Sequence, residues 1–137
     1  MKYCSECGSE TEKKIPEGDN RERDCCRSCG LIHYSNPKII VGTIPAKNKS
    51  VLLCKRAIEP RYGKWTLPGG FLENGETVAQ GAFRETFEET NTEVEMNELY
   101  AIFNVPQINQ VYMLYRASVV SNDYAPTSES LEVQFLR

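Results

Sequence analysis

Two groups of side chains in this 137-residue chain have the types and the spacing to hold metal ions. The first is made of sulfur. Cys4-Ser5-Glu6-Cys7 and Cys26-Arg27-Ser28-Cys29 repeat one spacing, each is followed by a glycine (Gly8 and Gly30), and 18 residues separate Cys7 from Cys26. A Cys-x-x-Cys turn aims two sulfurs at one centre, so two such turns supply the four soft ligands of a tetrahedral structural Zn2+. Thioredoxin-like redox chemistry is the weaker alternative. Cys25 adjoins Cys26, but only Cys26 keeps the two-residue gap to Cys29, so Cys25 is read as a bystander.

The second group is made of oxygen. Glu85, Glu88 and Glu89 stand at i, i+3 and i+4, so on a helix all three carboxylates share one face. Bare carboxylates at that distance repel one another, and a divalent cation relieves the repulsion. Oxygen ligands alone favour Mg2+ or Mn2+ over zinc. Arg84 is placed to orient them, paired with Glu88 one turn on or with Glu76 in the preceding loop. Gly81, one turn before Glu85, either clears space above the cluster or packs closely on a neighbour. The plainer reading of the acidic face is a solvated helix.

The elements that must position these groups can be read from pattern. Thr77 with Gln80 forms a capping box, and Asn91 can adopt the left-handed conformation that ends a helix, so a helix is expected over residues 78–90. Its other face, with Ala79, Ala82, Phe83 and Thr86, is expected to pack on a sheet. Trp65 to Glu76 holds three glycines and a proline, and reads as a rigid loop feeding that helix. Strands are expected at 38–44, 50–56, 99–105, 110–120 and 131–136. Cys54, inside the second of these, is read as a small buried side chain. One helix among such strands implies an α+β fold. Between the cysteine pairs, Glu10 to Asp24 is polar and reads as a short two-stranded ribbon without a core, which the metal would hold together. Composition changes at Pro37, giving a zinc ribbon over 1–37 and a second domain over 38–137.

The charge is segregated. The formal net charge is −3, yet residues 38–64 carry seven basic and one acidic side chain, net +6, and residues 65–92 carry one basic and five acidic, net −4. The small total argues against a polyanion binder held by bulk charge. The ribbon itself is slightly acidic with few aromatics, which argues against nucleic acid as its partner and for a structural or dimer-forming role. No apolar run reaches membrane-spanning length and the first residues lack the apolar core of a signal peptide, so a cytoplasmic protein is expected, away from membranes and with reduced thiols.

Gly70, Glu76 and the run Arg84-Glu85-Thr86-Phe87-Glu88-Glu89-Thr90-Asn91-Thr92 together resemble the Nudix box. Thr86 and Thr92 stand where that family usually has aliphatics, and Asn91 where it has glycine. The cysteine pairs, Ile15 to Asp19, Ile32 to Lys38 and Glu129 to Glu132 are similar to the Nudix subgroup with an N-terminal zinc ribbon, which includes FAD pyrophosphohydrolases and ADP-ribose pyrophosphatases. The resemblance implies a Nudix α/β/α sandwich with a mixed sheet, although a C-terminal helix usual in the group is not evident before the chain stops at Arg137. It implies metal-dependent hydrolysis of the pyrophosphate bond of a nucleoside diphosphate linked to a further group X, with FAD, ADP-ribose or NADH as the small-molecule dinucleotide substrate. Arg84, Glu85, Glu88 and Glu89 would be catalytic, and the Gly70 carbonyl would join Glu85, Glu88 and Glu89 on the metal. Glu88 or Glu89 would orient the water; Glu129 and Glu132 are further candidates for the base, though surface acids are the better reading of both. Arg56 and Arg61, with Lys55 and Lys64, would attract phosphate. Tyr62, Trp65 and Phe71 would stack on a base or flavin, with packing the stronger role for Trp65. His33 is read as a packing residue. The resemblance also implies a homodimer. The competing function is a non-catalytic module that binds a nucleotide or nucleic acid.

Overall fold

The computed structural model describes residues 1–121 and 123–136; Asn122 and the expected domain end at Arg137 lie outside the described residues. The chain divides into two compact units, Met1–Asn36 and Pro37–Arg137.

The first unit is a three-stranded antiparallel sheet of β1 (Thr11–Lys14), β2 (Arg23–Cys26) and β3 (Ile32–His33). Two strands were expected. The third follows from the second cysteine turn: the Cys26 N–H donates to Leu31 O at 2.9 Å, bringing the chain back so that Ile32 pairs with Cys25. Alternation along β2 puts neighbouring side chains on opposite faces, so the Cys25 thiol points away from that of Cys26, toward Lys14 O and Arg23 O at 3.9 and 3.8 Å. Apart from Pro16, the buried side chains of this unit are Cys4, Cys25 and Cys26. No apolar core exists here to outweigh the entropy of ordering the chain.

The second unit is a mixed sheet in the order β10-β5-β4-β9-β8, built from β4 (Lys38–Lys47), β5 (Ser50–Arg56), β8 (Val94–Val105), β9 (Gln110–Val119) and β10 (Ser130–Leu136). β6 (Trp65–Thr66) joins β5, and β7 (Gly69–Phe71) joins β4. β4 and β9 run parallel, while the other pairs are antiparallel. β8 begins five residues before the expected 99, because register shifts between Met96 and Leu99 and between Leu99 and Ala101 break the alternation that marks a strand.

The helix α1 (Val78–Thr90) closes as expected. The Thr77 hydroxyl accepts from Gln80 N at 3.1 Å, Gln80 Oε1 accepts from Thr77 N at 2.9 Å, and Asn91 ends the helix at φ 56°. Its buried face differs from the expected one: Gly81, Ala82, Glu85, Thr86, Glu89 and Thr90 are buried, so two of the three glutamates face the protein interior. Thr86 sits in that interface because its hydroxyl is satisfied, donating to Ala82 O at 2.8 Å and lying 2.7 Å from Thr43 Oγ1 on β4. Val94, Ala117 and Val119 form one apolar cluster, with Phe83, Met96 and Phe135 against it; Leu52, Cys54 and Val133 form another. α1 is the one α-helix among the described residues. The fold is the expected α+β, with one helical layer on its mixed sheet; the second helical layer of an α/β/α sandwich is not among the described residues.

Candidate active site

The loop and β7 bring backbone close to the acidic face of α1. β7 pairs with β4 through Val41↔Gly70 and Gly42↔Gly69. A Cβ on Gly70 would run into the Glu85 carboxylate, so glycine is required there for the carboxylate to lie against the turn. Gly81 meets Leu72, Glu76 and Val41 in the same way, which makes it a close-packing residue.

Arg84 organises the acids. Its guanidinium donates to Glu76 at 2.7 and 3.0 Å, to Glu85 at 2.8 Å, to Glu88 at 3.2 Å and to Phe71 O at 3.1 Å. Both proposed partners, Glu76 and Glu88, are therefore engaged at once. The bond to Arg84 holds the Glu76 carboxyl down at about 2.

The carboxylates separate into two sets. Glu85, Glu88 and Glu129 each offer an oxygen within 4.8 Å of the others. Glu129 comes from the loop before β10, which no spacing on the helix could reveal. Its carbonyl accepts from Ala57 N at 3.0 Å, tying this corner to the basic 57–64 loop. Glu132, the other late acid, lies instead at the surface, 3.5 Å from Lys55 Nζ. Glu89 stands apart from that set. It is 6% exposed, and its Oε2 accepts from the Gly69 N–H at 3.1 Å and from the Cys54 thiol at 3.3 Å. Burial pushes Glu89 up to about 7 against the pull of these two donors, with the charges of Glu85 and Glu129 adding to the rise. Burial also raises Glu85, only partly offset by Arg84. Acids raised by burial and by one another suit a cation, which stabilises their charged forms. Three converging carboxylates, one of them lying against Gly70, thus fit a hard divalent ion such as Mg2+ or Mn2+.

Of the residues expected to meet substrate, Phe71 is joined to Arg84 through its carbonyl, and Lys38 Nζ sits 5.1 Å from its ring centre. Arg56 closes the 57–64 loop, with Nε donating to Pro60 O at 2.7 Å and its backbone paired to Lys64 and Gly63. Arg61 and Tyr62 are exposed on that loop, and Trp65 follows on β6, partly exposed and opposite Lys55. The residue that pattern reading missed is Cys54, whose thiol is bonded to a site glutamate.

In the first unit, Cys4, Cys7, Cys26 and Cys29 bring their sulfurs within 4.8 Å of one another, with Cys4–Cys29 at 3.7 Å and Cys7–Cys26 at 3.4 Å. Four sulfurs at the Zn–S distance of a tetrahedral site stand about 3.8 Å apart, so the cluster has the dimensions of a zinc site. Backbone N–H groups of Glu6, Ser28 and Cys29 already point at Cys4 and Cys26. Hydrogen bonds from Ser9, with Cys26 beside it, lower the Cys7 thiol to about 6. The Leu31 N–H lowers Cys29, but Cys26, burial, Cys4 and Cys7 outweigh it and push that thiol up to about 12. Thiolates gathered this closely repel one another, and a cation relieves that repulsion.

Comparison with known proteins places both units. The zinc-ribbon family model described as Nudix N-terminal matches residues 2–35, and the NUDIX domain model matches residues 37–137. A crystallised NUDIX hydrolase from Nitrosomonas europaea is 57% identical with a TM-score of 0.95, over 99% of this chain and 77% of its own. The ADP-ribose pyrophosphatase of Methanocaldococcus jannaschii is 29% identical over 74% of this chain and 63% of its own. The NAD-capped RNA hydrolase NudC of Pseudomonas aeruginosa is 29% identical over 96% of this chain and 45% of its own. The chain therefore spans less than two thirds of the length of either of these curated relatives. No helix among the described residues is long and apolar enough to cross a membrane.

Proposed function

The chain belongs to the Nudix family, and from that premise we propose that it hydrolyses the pyrophosphate bond of an ADP-containing dinucleotide or sugar nucleotide with the help of a divalent cation. The observation that carries this reading is the convergence of Glu85, Glu88 and Glu129, from two separate elements, within 4.8 Å. The relatives support the substrate class, since one is named for ADP-ribose and another for NAD-capped RNA. FAD, ADP-ribose and NADH share the adenosine diphosphate those names imply.

Glu85, Glu88 and Glu129 would hold the cation, with the Gly70 carbonyl as a further ligand. When bound, the ion neutralises phosphoryl charge and lowers the pKa of a coordinated water. Arg84 fixes Glu85 and Glu88, so that little reorganisation is needed when substrate arrives. Glu89 holds the Gly69 turn through Oε2. Among the described residues Oε1 takes no protein donor, and it orients the attacking water and accepts its proton. Arg56, Arg61, Lys55 and Lys64 draw the phosphates to the 57–64 loop. The exposed rings of Tyr62, Trp65 and Phe71 offer faces for the adenine or for the second moiety.

A substrate panel of FAD, ADP-ribose, NADH and NAD-capped RNA with Mg2+ tests the reading. Metal-dependent release of a nucleoside monophosphate from at least one is expected, falling about 100-fold or more in Glu88→Gln and Glu129→Gln. Saturable binding without turnover of any substrate would show a non-catalytic module instead.

A further inference from the structure

We infer that Cys54 is a positioning residue for hydrolysis, acting through Glu89; this rests on the proposed hydrolase function. Cys54 lies on β5, 1% exposed, with its thiol 3.3 Å from Glu89 Oε2 and 3.6 Å from Thr66 O. A thiol carries one proton, and the carboxylate is both the nearer and the more strongly accepting partner. A thiolate buried against a carboxylate would be repelled by it, so the thiol keeps its proton and remains a donor.

The geometry around Glu89 gives this donor a task. Oε2 is held from two sides, by the Gly69 N–H at 3.1 Å and by Cys54. The backbone beneath it is fixed too, because the Ser130 hydroxyl donates to Glu89 O at 2.8 Å. Two donors on one oxygen set the rotation of the carboxyl plane and leave Oε1 as the acceptor free for water. Gly69 alone would anchor the oxygen without fixing that plane. An aliphatic side chain in the same strand position would pack against Leu52 and Val133 but supply no hydrogen. A thiol here is thus more than filler.

Valine and alanine remove the donor at position 54, one slightly larger and one smaller than cysteine, while serine keeps it. Cys54→Val and Cys54→Ala should lower kcat about 10-fold with KM and Mn2+ affinity little changed, because the lost contact orients a reacting group rather than binding substrate or metal. Cys54→Ser should recover most of the loss. Measuring both non-donor variants guards against a packing effect, since over- and under-filling would have to produce the same defect.

An infrared measurement gives a readout independent of turnover. In zinc-loaded protein the four ribbon cysteines carry no S–H, leaving Cys25 and Cys54, and Cys25→Ala isolates the latter. Its S–H stretch should lie at the low frequency of a strong acceptor and move up in Glu89→Gln. A stretch indifferent to Glu89, or wild-type kcat in both non-donor variants, overturns the inference while leaving the hydrolase reading intact. Absence of turnover in wild type across the panel removes the reading, and the inference with it.

Discussion

The two units gather metal-ligating groups in different structural settings. In residues 1–36 the buried side chains are Cys4, Cys25, Cys26 and Pro16, so the sulfur cluster occupies the place a core would take. In the NUDIX unit, Val41, Leu52, Val94, Ala117, Val119 and Val133 form an apolar core separate from the ion-binding groups, and the carboxylates lie beside that core. The difference follows from size. About 36 residues cannot bury enough apolar surface to offset chain entropy without a staple, whereas about 100 residues can. Zinc should therefore be a condition of folding in the first unit, and the divalent cation a condition of chemistry alone in the second.

Loss of a single sulfur should separate the behaviour of the two units most clearly. Cys26→Ser should abolish zinc binding, from about one ion per chain to none, and unfold the ribbon, since structural zinc supplies about 10–16 kcal/mol in small modules. Hydrogen exchange read residue by residue is the check. Amides of β1 and β2 should lose protection while those of β4 and β9 keep it. Protected ribbon amides in the zinc-free variant would mean that the unit has a core of its own after all.

A smaller effect should appear in the second unit without loss of fold. Burial raises Glu89 from the usual 4.5 to about 7. The folded protein then binds a proton that the unfolded chain releases, so this group's stabilisation is complete below about 4.5 and gone above about 7. At about 1.4 kcal/mol per unit, stability in magnesium-free buffer should fall by something of order 3 kcal/mol between pH 5 and pH 7.5. Glu76, held down at about 2, acts in the opposite sense, its contribution disappearing only as pH falls below the normal 4.5. Denaturant melts across this range, with zinc left in place, test the slope; Mg2+ and Glu89→Gln should each flatten it. A flat profile in wild type without Mg2+ would show Glu89 to be better solvated than its burial indicates.

What could be read from residue order alone divides along the same line. Local devices were legible: the Thr77–Gln80 capping box, the Asn91 stop and the matched cysteine pairs each depend on neighbours a few positions apart. Contacts made by topology were not. Glu129 reaches Glu85 because β10 pairs with β5, and Cys54 reaches Glu89 because β5 runs beneath α1. Neither approach leaves a periodic mark. The helical wheel put Glu85, Glu88 and Glu89 on one face correctly, but it could not show that the face straddles the edge of the core, with Glu88 outside and Glu85 and Glu89 inside. The threonines illustrate a third case. Thr86 departs from the family's aliphatic at that position, and the reason lies on another element, in Thr43 of β4.

That pair offers the smallest and most directional test of a core that stands without metal. The Thr86 hydroxyl spends its one proton on Ala82 O, so in the bond between the two hydroxyls Thr43 must be the donor. Thr43→Val leaves Thr86 still bonded to its own helix and should cost well under 1 kcal/mol. Thr86→Val leaves a fully buried Thr43 hydroxyl with no side-chain acceptor among the described residues, and should cost about 2 kcal/mol. The double variant removes both polar groups together and should be more stable than Thr86→Val alone. Denaturant midpoints of the three variants measure the cycle, and none of them should alter zinc content. A larger cost for Thr43→Val than for Thr86→Val would mean that the proton runs the other way, from Thr86 to Thr43.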